Sequence, residues 1–256
     1  PLTNVYKQIQ LIRPYYDFKD ADVDRYHIDG EYRQVLLAAR EVAPEKLKEE
    51  AQTWVNEKLF YTHGIGIAMS PATEFTPEGR PIFFAQDIPA NGEIPVSSPD
   101  QNASPDIMVK NPRIYYGENS KDYVIVNTDT QELDYQTGEG DLIVTNYEGS
   151  GGVGVGSYFR KLLYAWQMRD INILISNQLN ENSKIQYRRS VEDRVSTVAP
   201  FLKLDEDPYI VAANGQLYWI QDAYTTSDKF PYSQPTDEED TLDDYNYIRN
   251  SIKIVV

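Results

Sequence analysis

Apolar and polar positions alternate most regularly between residues 208 and 233, where two runs rich in β-branched and aromatic residues flank Asn214-Gly215. That pair accepts the positive φ values of a two-residue turn, so the pattern predicts a β-hairpin. A second hairpin is predicted over 24–28 and 31–40 about Asp29-Gly30. Elsewhere the apolar spacing lengthens to that of helices. Val5, Ile9 and Ile12 predict a helix over 4–13, capped by Asn4 and stopped by Pro14. Pro44 opens a predicted helix to Phe60 with Leu47, Ala51, Trp54, Val55 and Leu59 on one face. Residues 65–69 and 81–86 read as a third strand pair.

Further strands are predicted at 113–116, 123–127 and 141–147, followed by a glycine-rich turn and a helix over 157–168. Residues 171–176 and 184–188 read as strands, and Ser190 caps a helix that Pro200 stops, with Glu192 and Asp193 in its first turn. An acidic loop over 236–244 precedes the closing strand. Residues 87–112 hold Pro, Asn, Ser and Gly with few large side chains, the composition of an insertion. The chain thus divides into helix–hairpin units over 1–86, the insertion, and a second part over 113–256. Val5, Ile9, Ile12, Pro14, Phe18, Tyr26 and Gly30 are echoed by Val191, Val195, Val198, Pro200, Leu204, Tyr209 and Gly215. The expected fold class is α+β, short helices packed on antiparallel hairpins, with an α-β-β repeat set against a chance match of a common unit. The helix from Pro44 with its strand pair is a looser third instance.

Lys and Arg total 24 against 40 Asp and Glu in 256 residues, a formal charge of −16 that repels phosphate backbones and anionic headgroups and argues against a nucleic-acid partner. No cysteine is present, which excludes disulfides, thiolate metal sites and cysteine nucleophiles. Twenty Tyr against eight Phe give aromatic surface with one wet end, suited to recognition. No apolar run approaches the roughly 20 residues of a membrane helix. The start without methionine and the end on an apolar strand predict an excised piece whose last strand has lost its partner or its continuation.

The chemistry is thinner. Gly149-Ser150-Gly151-Gly152-Val153-Gly154 matches GxGxxG before a helix bearing Arg160 and Lys161, so Gly149, Gly151, Gly154 and Arg160 are candidate anion-binding positions; a flexible turn is the alternative. Asn177 stands where a dinucleotide site needs an acid, and neither Ser150 nor Ser157 sits in a nucleophile elbow. His27 and His63 lack the His-x-x-x-His spacing, so a zinc pair would have to be assembled by the fold; structural or surface roles are expected instead, with no metal centre and no cofactor. Asp20, Asp22 and Asp24, with Asp205, Glu206 and Asp207, offer oxygens to calcium or serve as solvated linkers. A candidate polar site groups Asp222, Tyr224 and Asp228 with Arg188, Arg189 and His63. Glu148 joins Asp222 and Asp228 as a carboxylate for hydrolysis.

Several longer motifs carry a resemblance: RPYYDF at 13–18, DVDRYHIDGEYRQVLLAARE at 22–41, WVNEKLFYTHGIG at 54–66, YEGSGGVGVGS at 147–157, APFLKLDEDPY at 199–209, LYWIQDAYTTSDKFPYS at 217–233 and NYIRNSIKIVV at 246–256. Together they resemble uncharacterised protein family 0182, bacterial and archaeal multi-pass membrane proteins; residues 87–112 depart from that pattern. The resemblance implies part of a large domain outside the cytoplasm, tethered by membrane helices, and carries over no activity or catalytic residue. The expected role is binding or scaffolding at the cell envelope, with other envelope proteins, a polysaccharide, the parent's own membrane helices or calcium as partners. An envelope-directed hydrolase and an ion-sensing domain are the alternatives.

Overall fold

A computed structural model describes residues 2–28, 30–88, 109, 111–235 and 245–256. Most of the expected insertion and the 236–244 loop lie outside those residues. The architecture is α+β, built on two antiparallel hairpins. In the first, Asp22–Ile28 pairs with Glu31–Ala39, and Ile67–Pro71 adds to the far edge with Leu37 opposite Met69. In the second, Tyr209–Ala213 pairs with the long strand Gln216–Ser227 across Asn214 and Gly215, both at positive φ (53° and 80°) as the turn demands. Tyr247–Val255 covers the other edge of that long strand. The closing strand is thus paired along one edge.

Both hairpins share one core, in which Tyr26, Ile28, Val35, Leu37, Ile67 and Met69 meet Ile210, Ala212 and Trp219. Each such side chain contributes about 1.5–3 kcal/mol on burial. Polar contacts fix the register between the hairpins: Asp22 Oδ2 accepts from the Ile210 amide at 3.2 Å, and Tyr26 Oη accepts from the Ala212 amide at 2.9 Å.

Helix Leu2–Gln10 packs through Tyr6 and Gln10, leaving Ile9 and Ile12 exposed, so the buried face differs from the Val5–Ile9–Ile12 face. The reason is polar. Tyr6 Oη donates to the Leu36 carbonyl and bonds the Ser70 hydroxyl, while the Gln10 carbonyl accepts from Arg40. The helix expected over 44–60 is instead two 3₁₀ turns, Pro44–Lys46 and Glu49–Ala51, and a π turn, Asn56–Phe60. Extended residues Leu47 and Lys48 interrupt it, and the Gln52 and Asn56 side-chain amides take the carbonyls a continuous helix would have used. That removes the third instance of the repeat. The strand pair expected at 65–69 and 81–86 is also divided. Gly66 (φ 71°) separates Gly64–Ile65, paired with Arg113–Ile114, from Ile67–Pro71, while 81–86 supplies isolated bridges.

The middle of the chain forms a second core around Leu59, Tyr123, Ile125, Val155, Ile173 and Ile185. Strand Lys184–Gln186 lies between Val124–Val126 and Val153–Gly154. Helix Tyr158–Met168 starts at Ser157, whose hydroxyl accepts from the Arg160 amide, and ends at Arg169 in the left-handed region. Residues 171–176, expected as a strand, form helix Asn172–Ile175, started by the Asp170 carboxylate on the Asn172 amide. Helix Val191–Val198 begins at its Ser190 cap as expected.

Candidate functional site

A cleft of about 310 Å³ opens where the glycine-rich loop meets strand Lys184–Gln186 and helix Val191–Val198. Tyr116, Tyr187, Arg188 and Arg194 line it together with Gly151, Gly152 and Gln186. Local geometry explains the glycines. Gly152 has φ 87°, and a Cβ there would lie 3.2 Å from the Ile185 carbonyl oxygen and from Lys184 Cβ. The Gly151 amide donates to Tyr147 Oη at 3.0 Å. Arg194 stacks its guanidinium 4.2 Å from the Tyr116 ring centroid and reaches the Arg188 carbonyl at 3.5 Å. Arg188, at φ 52°, turns out of the strand and lies over Tyr187. Gln186 is 1 % exposed, yet neither its amide nitrogen nor its oxygen has an aligned hydrogen bond. Burial raises the pKa of the neighbouring Tyr147 hydroxyl, and its interaction with the Gln186 side chain opposes that rise.

The four candidate anion positions do not converge. Gly149 packs on the Tyr147 ring, the Gly151 amide is spent on that tyrosine, and Gly154 pairs with Lys184. Arg160 donates to the Gly154 carbonyl at 3.2 Å, beside the start of a helix that Ser157 already caps. Gly151 is thus the member of the set that lines the cleft. Arg188 joins it, but its neighbour Arg189 faces the interior and donates to the carbonyls of Thr62, Tyr115 and Asp122. The signals missed in the sequence were Gln186, Arg194 and Tyr116, which sit on three separate segments.

His63 lies in a buried network outside the cleft lining. Its ring stands between two carboxylates, Nδ1 3.7 Å from Glu132 and Nε2 3.5 Å from Asp134. Glu132 Oε2 accepts from Thr62 Oγ1 (2.6 Å) and Tyr115 Oη (2.9 Å), and Arg113 grips Asp134 with two bonds of 2.8 and 2.9 Å. Burial pushes the Asp134 carboxyl up, but hydrogen bonds and charge from His63 and Arg113 outweigh it and hold the group at about 2. Glu41 is buried close by. It takes the amides of Glu118 and Asn119 and the Ser120 hydroxyl, with burial still pushing its carboxyl above the usual range. This network locks strands together through charge and gives a substrate no opening, since the His63 and Glu132 side chains are at most 2 % exposed.

The remaining candidates are scattered. Asp222 is held by Lys253 at 2.7 and 2.9 Å, Tyr224 donates to Asp205 at 2.6 Å, and Asp228 and Glu148 are exposed. His27 lies on the first hairpin against Tyr32. Of the acidic links, Asp20, Asp22 and Asp207 bring oxygens within 4.8 Å of one another, while Asp24 bonds its neighbouring Arg25 amide. Burial drives Asp22 up to about 7, and the Asp20 and Asp207 charges reinforce it; burial and Asp207 likewise raise Asp20.

The sequence pattern of one family matches residues 1–256 entire. The chain belongs to the uncharacterised protein family UPF0182. A UPF0182 protein of Pelotomaculum thermopropionicum is 50 % identical over all of this chain, and one of Moorella thermoacetica 46 %. A UPF0182 protein of Trichodesmium erythraeum is 44 % identical, again over the full chain. The chain spans about a quarter of the length of these relatives, 26–28 %. No solved structure matches this UPF0182 segment. Among its described residues no helix is long and apolar enough to cross a membrane.

Proposed function

We propose that this chain is a binding domain working outside the cytoplasm, at the cell envelope, and that its glycine-loop cleft takes the acidic sugar units of an envelope polysaccharide. The placement rests on the resemblance of its motifs to a family of membrane proteins, whose own helices would tether it. The ligand class rests on the lining of that cleft, where two arginines and two tyrosines stand beside the Gln186 amide. Arginine suits a carboxylate, tyrosine faces suit a sugar ring, and an amide suits either a hydroxyl or a carboxylate. No Asp or Glu is among the residues lining the cleft, so its chemistry favours holding over acid–base hydrolysis.

Isothermal titration calorimetry with oligogalacturonate and with the same oligomer reduced to its neutral form tests the reading. The acidic oligomer should bind, the neutral one should not, and Arg194→Gln should weaken binding about 10- to 100-fold. Equal uptake of both oligomers, or an unchanged affinity in R194Q, would overturn it.

A further inference from the structure

Helix Tyr158–Met168 turns its apolar side outward. Its sequence is apolar on almost every face. Ala165 is buried with Tyr164 and Met168 partly covered, while Tyr158, Phe159, Leu162, Leu163 and Trp166 are exposed, Phe159 to 67 % and Trp166 to 81 %. Positions 158, 162 and 166 fall on one row and 159 and 163 on the next, so the exposed side chains form a continuous stripe. The stripe does not stop at Arg169. Ile171 and Ile175, also exposed, lie a turn apart, and Ile171 with Leu162, Trp166 and Leu174 borders an open groove of about 690 Å³ that Arg169 and Asp170 also line. Single exposed apolar residues are ordinary; a contiguous patch marks a contact surface.

Charge says what kind of contact. Within a chain of net charge −16, residues 149–169 contain no Asp or Glu but carry Arg160, Lys161 and Arg169. Arg160 and Lys161 bond to the carbonyls of Gly154 and Leu179, so no carboxylate neutralises them in those contacts. Asp170, the first acid after this run, lines the groove but is engaged by Trp54 and Tyr123, from which its carboxylate accepts. A second copy would bring these flanking cations toward their own counterparts. A bilayer with anionic headgroups complements both features, apolar side chains entering the acyl boundary and arginines meeting phosphates, with Trp and Tyr at headgroup depth.

We propose that helix Tyr158–Met168, with the adjoining Ile171 and Ile175, is a membrane-surface docking element that lies in the interface of an anionic bilayer. It involves none of the residues of the cleft and stands or falls apart from it.

The 256-residue chain, mixed with vesicles of phosphatidylcholine alone or of phosphatidylcholine with phosphatidylglycerol, is followed by flotation and tryptophan emission. Trp54 and Trp219 are largely covered, so Trp166→Phe identifies the responding fluorophore. The expected result is co-flotation and a blue shift with the anionic vesicles, both weakened by salt. Trp166→Glu and Leu162→Glu should reduce partitioning about tenfold or more, and Arg160→Gln or Arg169→Gln about fivefold each, as for a basic residue at an anionic surface. These side chains are exposed, so unchanged circular dichroism and Tm keep the comparison clean. Absence of flotation with either vesicle would overturn the proposal. So would lipid-independent self-association that shifts Trp166 emission, or binding unaltered in both glutamate variants.

Discussion

Asp134→Asn isolates the buried network at its strongest bond. The substitution preserves shape but replaces one carboxylate oxygen by an NH₂ group, which must then face Arg113 Nε or Nη2, donor against donor. Removing one partner of such a pair leaves a poorly compensated guanidinium, and the expected cost at pH 7 is about 3 kcal/mol. Proton linkage supplies an independent figure. The carboxyl sits at about 2 rather than its ordinary 3.8, a depression equivalent to about 2.4 kcal/mol, or about 2 after screening at the partly open Arg113 side. Because the folded value is the lower one, that stability is present in full above about pH 5. It declines as pH falls, with about half gone at pH 3. Urea unfolding followed by circular dichroism, for both proteins at pH 7 and pH 3, reads the two numbers. The gap should be about 3 kcal/mol at pH 7 and about 1 kcal/mol smaller at pH 3. A gap below about 0.5 kcal/mol at pH 7, or one that does not change with pH, refutes the reasoning.

The opposite sign is expected at Asp22, which burial holds up to about 7, and at Glu118, which burial, opposed by Lys19 and aided by Asp20, holds up to about 8. Both folded values lie above the unfolded ones, so stability should rise as pH falls from 8 toward 5. Asp22→Asn should raise Tm at pH 8 by a few degrees and flatten that profile, since asparagine retains the oxygen that accepts from Ile210; a thermal melt at each pH checks it, and a lower Tm at pH 8 would contradict it. Gly152→Ala should cost about 1–3 kcal/mol in urea unfolding through its positive φ and its contact with the Ile185 carbonyl; a neutral result would mean the loop can relax.

What could be read from the sequence was what is decided locally. Asn214-Gly215 and Gly30 state their turns because only a few residue types accept the backbone there, and Ser190 announces its helix for the same kind of reason. Periodicity failed where side chains compete with the backbone. Gln52 and Asn56 take carbonyls that a helix over 44–60 would need, and Tyr6 chooses the buried face of the first helix through its hydroxyl. Residues 171–176 offered a short apolar run that fits strand and helix equally. Sites depend on distant segments. Arg188 and Arg189 are adjacent yet point to cleft and interior, and His63 meets Glu132 and Asp134 across some seventy residues. One hint was available: Glu132 and Asp134 alternate on a strand with apolar neighbours, placing two acids on one covered face.

The contacts that Asp22 and Tyr26 make to Ile210 and Ala212 have a bearing on solubility. Those two amides belong to the side of strand Tyr209–Ala213 that faces away from its hairpin partner, the side on which another molecule's backbone would otherwise add and continue the sheet. Two oxygens borrowed from the first hairpin occupy the donors at alternate positions, and so deny a stranger its template without spending a further strand on the task.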